Sequence, residues 1–232
     1  MVAMVASVLP AGYTHHIKGR VRRSKEPSPT ADQKEPSPTV VLVLGLCVVA
    51  DERTAMIEDF EKVADAPEEL VAGYEGLLPE EILDIWREHG LGTFYHGCLK
   101  VLDPREYQEL LEETYWLGCV ARPVFATAFG DLITWEKNQF LGIVQYRYGD
   151  NDVISDGFEY FFEDLMDGDF DEEYLSMRKY NAAVKKYGPL AYDECFGYVP
   201  LLGLGGRETV NNLRKVKIRE HIALIAQMVG GV

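Results

Sequence analysis

The chain has 232 residues, 47% of them hydrophobic, and carries 38 acids against 23 Lys and Arg, a formal net charge of −15. That length and apolar content suffice for a buried core, in one domain or in two small fused ones. The charge argues against a surface that neutralises phosphate, and so against nucleic-acid binding; it disfavours anionic membranes and favours a basic partner.

Residues 1–55 differ from the rest. They hold seven bases and five acids, and Lys25-Glu-Pro-Ser-Pro-Thr30 returns as Lys34-Glu-Pro-Ser-Pro-Thr39. Such tracts have too little apolar surface to offset chain entropy. Val40–Ala50 is an unbroken apolar run, short of the roughly 20 residues a helix needs to span a bilayer. It also lies too deep for a signal-peptide core; a buried strand or a membrane-associating segment stays open. The expectation is a disordered leader, residues 1–55, with the working domain starting at Met56. From there 16 bases face 33 acids.

Ile57–Ala64 and Pro67–Tyr74 read as short helices. Pro79–His89 is the clearest helix: Pro79 suits its start, Glu80 and Glu81 complement the dipole, Ile82, Leu83, Ile85 and Trp86 share a face, and Gly90 stops it. Phe94–Tyr95 and Cys98–Leu102 form a hairpin around His96 and Gly97. Asp103 then caps a helix with Pro104 at its start and Tyr107, Leu110 and Leu111 inside. Val124–Phe129, Leu132–Glu136 and Gln139–Tyr148, broken at Gly130-Asp131 and Lys137-Asn138, read as an antiparallel meander. Trp86 and Trp135 fall on the buried faces of their elements. Asp150 and Asp152 read as turn residues. Helices follow at Gly157–Met166 and Glu172–Lys186, then a strand or turn at Glu194–Val199. A last helix near Lys217–Met228 sets Ile218, Ile222, Ile225 and Met228 on one face. The class is α+β, an antiparallel sheet packed with helices.

Signatures of chemistry are few. GxxxxGK[ST], GxSxG and HExxH are missing, and Cys47, Cys98, Cys119 and Cys195 are too scattered for a disulfide framework or a zinc site; they read as reduced, mostly buried thiols. Gly203, Gly205 and Gly206 suggest a phosphate loop, but Glu208 stands where a dinucleotide fingerprint wants Gly or Ala, so a tight turn is the better reading. Asp167-Gly-Asp169-Phe-Asp171-Glu-Glu173 resembles a calcium loop, yet Glu172 and Arg178 occupy the positions that need Gly and Glu. His89 suits a helix C-terminus and His96 a turn. No cofactor or metal is implied, and no carboxylate pair is singled out for acid–base work.

Several stretches together resemble one family. Leu78-Pro-Glu-Glu-Ile-Leu-Asp-Ile-Trp86 with Gly90, Gly92 and Gly97, then Asp103-Pro104 with Tyr107, then Ala128-Phe-Gly-Asp131 with Trp135, look like a GAD-like domain. Glu194-Cys-Phe-Gly-Tyr-Val-Pro200, Leu202-Gly-Leu-Gly-Gly206 and Asn212-Leu213 with Lys215-Val-Lys217 look like the C-terminal domain that accompanies it in immunity proteins of type VI secretion DNase effectors. The resemblance covers about residues 57–230. It implies a GAD-like part, residues 56–155, fused to a smaller helical and β C-terminal part, residues 156–232. It also implies a bacterial cytoplasmic protein, not an enzyme, that binds and neutralises a cognate nuclease toxin without binding nucleic acid or inserting stably in a membrane.

The composition fits, since carboxylates can lie where DNA phosphates would. The densest run is Glu163, Asp164, Asp167, Asp169, Asp171, Glu172 and Glu173, a candidate toxin contact whose plainer reading is a solvated helix cap. Two other functions stay open: a small hydrolase using carboxylates with His89 or His96, and an acidic adaptor for another basic partner.

Overall fold

The computed structural model describes Ile57, residues 59–165 and residues 170–232; the expected leader and its apolar run lie outside them. Seven strands form one antiparallel sheet in sequence order: Glu61–Ala64 (β1), Leu91–Phe94 (β2), Leu99–Val101 (β3), Ala121–Thr127 (β4), Leu132–Glu136 (β5), Phe140–Gln145 (β6) and Asp150–Asp156 (β7). A second antiparallel pair, Glu194–Tyr198 (β8) with Leu213–Lys217 (β9), packs against it. Around the strands lie helices Glu68–Tyr74 (α1), Glu80–Glu88 (α2), Pro104–Thr114 (α3), Phe161–Leu165 (α4), Met177–Tyr187 (α5) and Ile218–Val229 (α6). The α+β class holds.

Both faces of the large sheet are covered, which is why its central strands lack the polar alternation of a half-exposed sheet. Ile133, Trp135, Leu141 and Ile143 join Trp86, Phe125 and Phe161 in one core cluster. Their neighbours Leu132 and Val144 point the other way and join Leu111, Ile218 and Ile222 in a second. Period-2 alternation thus sorts one strand's side chains between two cores. Trp86 and Trp135 are both buried, as expected.

The two strongest helix signals behave as read. In α2, Ile82, Leu83, Ile85 and Trp86 are buried, and the chain leaves the helix at Gly90, where φ is +83° and a Cβ would collide with the Ala64 carbonyl. In α3, Asp103 accepts the backbone N–H of Arg105 at 3.0 Å, with Pro104 in the first turn.

Elsewhere tertiary pairing overrides the local pattern. Glu61–Ala64, expected in a helix, is an edge strand paired with β2; Gly92 opposite has no side chain, so the Phe60 ring and the Glu61 carbonyl come close. The turn after β6 falls at Tyr146–Gly149, and Asp150 and Asp152, expected in that turn, begin β7 instead. Leu213–Lys217 forms β9, which has no counterpart in the sequence reading; its pairing with β8 precedes the last helix. On α6 the buried stripe is Ile218, His221, Ile222 and Ile225, and Met228 stays 52% exposed. The expected helix Glu172–Lys186 breaks into a π-helical segment, Asp171–Leu175, and α5, with Ser176 between them at φ +51°.

Candidate partner-binding surface

The acidic run divides by environment. Asp167 and Asp169 lie outside the described residues. Glu163 on α4 and Glu173 on the π segment are exposed, and Asp164 is half-buried. Asp171 accepts a hydrogen bond from the Tyr95 hydroxyl at 3.2 Å; burial and that carboxylate push the Tyr95 pKa up to about 12. Glu172 is engaged by Arg178 twice, through the backbone N–H at 3.1 Å and the guanidinium Nε at 3.1 Å. Slight burial opposes ionisation of Glu172, but those contacts hold its pKa below the usual carboxylate value. Part of the run therefore organises its own loop, while Glu163 and Glu173 are its exposed members among the described residues.

The fold adds carboxylates that the run alone did not reveal. Edge strand β7 carries Asp150, Asp152 and Asp156; Tyr174 of the π segment donates to Asp152 at 3.2 Å, tying this edge to the acidic run. Glu159, just before α4, is exposed as well. At this edge Asp152, Glu173 and Asp164 gather around Tyr174, with Asp150, Asp156 and Glu159 close by in sequence, and the charge also protects the open strand from strand addition. The alternation of Asp150 and Asp152 with Asn151 and Val153 was the signal that could have found it.

The opposite end has the opposite sign. From Met177 onward nine Lys and Arg stand against four Asp and Glu. Lys185, Lys186, Arg207, Arg214 and Lys215 are all exposed there. The acidity of the chain therefore belongs to the large sheet and the run that follows it, and does not extend to the C-terminal end.

The large sheet is tied to the acidic run by a buried ion pair. Arg147, 2% exposed, sets its Nε 3.2 Å from Asp131 Oδ2, whose side chain is fully buried. The guanidinium sits between the Phe129 and Tyr148 rings, 4.5 and 4.7 Å from their centroids, and donates through Nη2 to the Tyr174 carbonyl at 3.2 Å. That donation takes a carbonyl at the end of the π segment, where the helix breaks. Burial pushes the Asp131 carboxyl up, and the Arg147 charge opposes the shift. Backbone contacts continue the seam: Phe196 N–H donates to the Ala128 carbonyl at 2.7 Å, and the Tyr192 hydroxyl to the Val101 carbonyl at 2.6 Å. Lys100, fully buried, donates to the Ala191 carbonyl at 3.3 Å, and burial lowers its pKa.

The candidate catalytic residues do not converge. His89 ends α2, while His96 sits in the β2–β3 turn, 73% exposed, with Nδ1 3.2 Å from Asp59. Cys98 and Cys195 are buried and Cys119 is exposed; burial pushes the Cys98 thiol up to about 12. Among the described residues no group of three His, Cys, Asp or Glu side chains could hold a metal ion, and no helix is long and apolar enough to cross a membrane. The glycine loop is a tight turn: Gly205 has φ +84°, and a Cβ on Gly206 would collide with the Pro200 carbonyl.

Residues 52–145 match the GAD-like domain family, and residues 155–229 match the family described as T6SS immunity protein Tdi1, C-terminal. No curated protein matches the chain. Among solved structures, Atu4351 from Agrobacterium tumefaciens aligns with a TM-score of 0.60 at 20% identity, over 74% of this chain and 87% of that one, a likeness of fold.

Proposed function

We propose that this chain, a type VI secretion immunity protein assembled from a GAD-like domain and a Tdi1 C-terminal domain, neutralises a DNase toxin by meeting its basic DNA-binding surface with carboxylates. In this reading the leader is residues 1–55, the GAD-like part residues 56–155 and the immunity part residues 156–232. The chain acts in the cytoplasm of the cell that makes the toxin, by binding rather than by catalysis. The observation that carries the reading is the acidic face at the β7 edge, built where the two family matches meet. A nuclease cleft is lined with Lys and Arg, and fixed carboxylates compete there with DNA phosphates. Complementary fields also speed capture, by about 10–10³-fold at low salt.

The test is purified toxin domain, linear DNA and this protein. Equimolar protein should abolish cleavage and co-elute with the toxin. Asp150→Asn, Asp156→Asn, Glu163→Gln and Glu173→Gln together should slow association, most at low salt, and flatten its salt dependence. Neutralising Asp167, Asp169, Asp171 and Glu172 should act in the same direction. Toxin cleavage unaffected by the protein sinks the reading. Full inhibition with unchanged association rates and salt slopes removes the acidic face from it.

A further inference from the structure

Two strands of this fold keep an outer edge without a neighbouring strand and carry opposite charge. β7 closes the seven-stranded sheet and bears Asp150, Asp152 and Asp156. β9 pairs with β8 alone. The ends of that pair fix its phase: across the ladder, the Ile218 N–H donates to the Asp193 carbonyl and the Val199 N–H to the Asn212 carbonyl. Bonding residues alternate along an antiparallel strand, so Arg214 and Val216 bond inward to β8, and the N–H groups of Leu213, Lys215 and Lys217 turn outward. Phe196, opposite Lys215, accordingly donates away from β9, to the Ala128 carbonyl.

Bases gather at this outward edge. Lys186 at the end of α5 donates to the Asn211 side chain, Arg214 to the Asn211 carbonyl, and Lys215 to the Pro189 carbonyl. Those acceptors are neutral and leave the three charges uncancelled, whereas Lys217 is shared with Asp193 and Glu194. The other outer strand of the large sheet, β1, carries Glu61 beside Lys62 and has no single sign. Charge on an open edge repels a strand of its own sign but matches one of the opposite sign. Asp150 and Asp152 stand two apart on β7, as Lys215 and Lys217 do on β9. Each pair therefore shares a face of its strand, and the two pairs have the spacing to stand opposite each other across a ladder.

The geometry points to a second copy of this chain as the partner of the β9 edge, with β7 of one copy added alongside β9 of the next, carboxylates against ammonium groups. The contact joins unlike surfaces, so it leaves a free edge at each end and can repeat from copy to copy. It goes beyond toxin neutralisation and needs no toxin, although it covers the β7 edge that the proposed toxin contact uses.

Sedimentation velocity on the full chain, from about 1 μM to about 1 mM, tests it over the range in which weak contacts dissociate. Salt of about 0.15 M limits the repulsion between like net charges to about 8 Å. The weight-average mass should rise with concentration. Asp150→Lys with Asp156→Lys, and separately Lys186→Glu with Lys215→Glu, should each weaken self-association tenfold or more. All four positions are exposed, so both variants should melt as the wild type does. Mixed together, the two variants carry complementary edges again and should associate with each other. A peptide of residues 150–156 should compete with self-association, and the same residues in scrambled order should not. A chain that stays monomeric, association unchanged in either variant, a mixture that stays apart, or equal competition by the scrambled peptide, which would give β9 to any acidic strand, each overturns the proposal.

Discussion

Replacing Arg147 by Met keeps most of the side-chain volume and strands Asp131. The carboxyl is fully buried, with Arg147 as its counter-ion. Removing one partner of such a pair costs about 3–5 kcal/mol, because the remaining charge is left uncompensated. Proton uptake limits that penalty. An ordinary aspartate titrates near about 3.9, and each pH unit above it is worth about 1.4 kcal/mol, so protonating Asp131 costs about 4 kcal/mol at pH 7 and about 1.5 kcal/mol at pH 5.

The sign follows from a pKa raised in the folded state. The extra penalty is absent below the wild type's own folded-state pKa and grows as pH rises from there towards the still higher value in the variant. Lost ring contacts with Phe129 and Tyr148 add a part that does not depend on pH. Urea unfolding followed by tryptophan fluorescence, for wild type and Arg147→Met at both pH values, should show a larger loss at pH 7 than at pH 5, by at most about 2–3 kcal/mol, because burial raises the Asp131 pKa even beside Arg147. Equal losses at pH 5 and pH 7 would refute the reasoning, since Asp131 would then not depend on Arg147 for its charge.

Trp86→Ala should destabilise by about 3–5 kcal/mol in the same titration, as large core deletions do, whereas full stability with lost toxin binding would make the ring a contact residue. A chain starting at Met56 should keep its melting temperature within about 2–4 °C, the shift that about 1 kcal/mol produces at this size; loss of cooperative unfolding would put Val40–Ala50 in the core. Glu136, buried with Tyr115 and Thr134 as donors, has its pKa raised mainly by burial, so it disfavours folding increasingly above the usual glutamate range. Glu136→Gln should therefore flatten the fall in stability as pH rises through the folded-state pKa, read from melting curves across pH; an unchanged slope would contradict the assignment.

Elements with a complete local signal were legible in the sequence: α2 with its proline start and glycine stop, α3 with Asp103 and Pro104, and the β4–β6 meander with its glycine and asparagine turns. The elements missed were those whose reason lies elsewhere in the chain. β1 owes its strand to Gly92, β9 to its pairing with β8, and the break at Ser176 accompanies a guanidinium arriving from residue 147. The site shows the same division. The run from Glu163 to Glu173 stood out as charge density, but Asp150 and Asp156 joined it only through sheet topology. Asp131 looked like a turn residue, because a buried counter-ion sixteen positions away leaves no local mark.

The seam also bears on how proteins of this kind diversify. Backbone groups at Val101 and Ala128 find their hydrogen-bond partners in the other half, at Tyr192 and Phe196. Exchanging one half between distant relatives would leave those groups facing an ill-matched surface and would break the Arg147 contact to Tyr174. If the acidic face is the toxin contact, as proposed above, a new toxin is met more safely by single changes on the outer rim, at positions such as Asp156 or Glu163, than by shuffling halves. Specificity in this architecture is expected to drift across the surface while the two halves are inherited together.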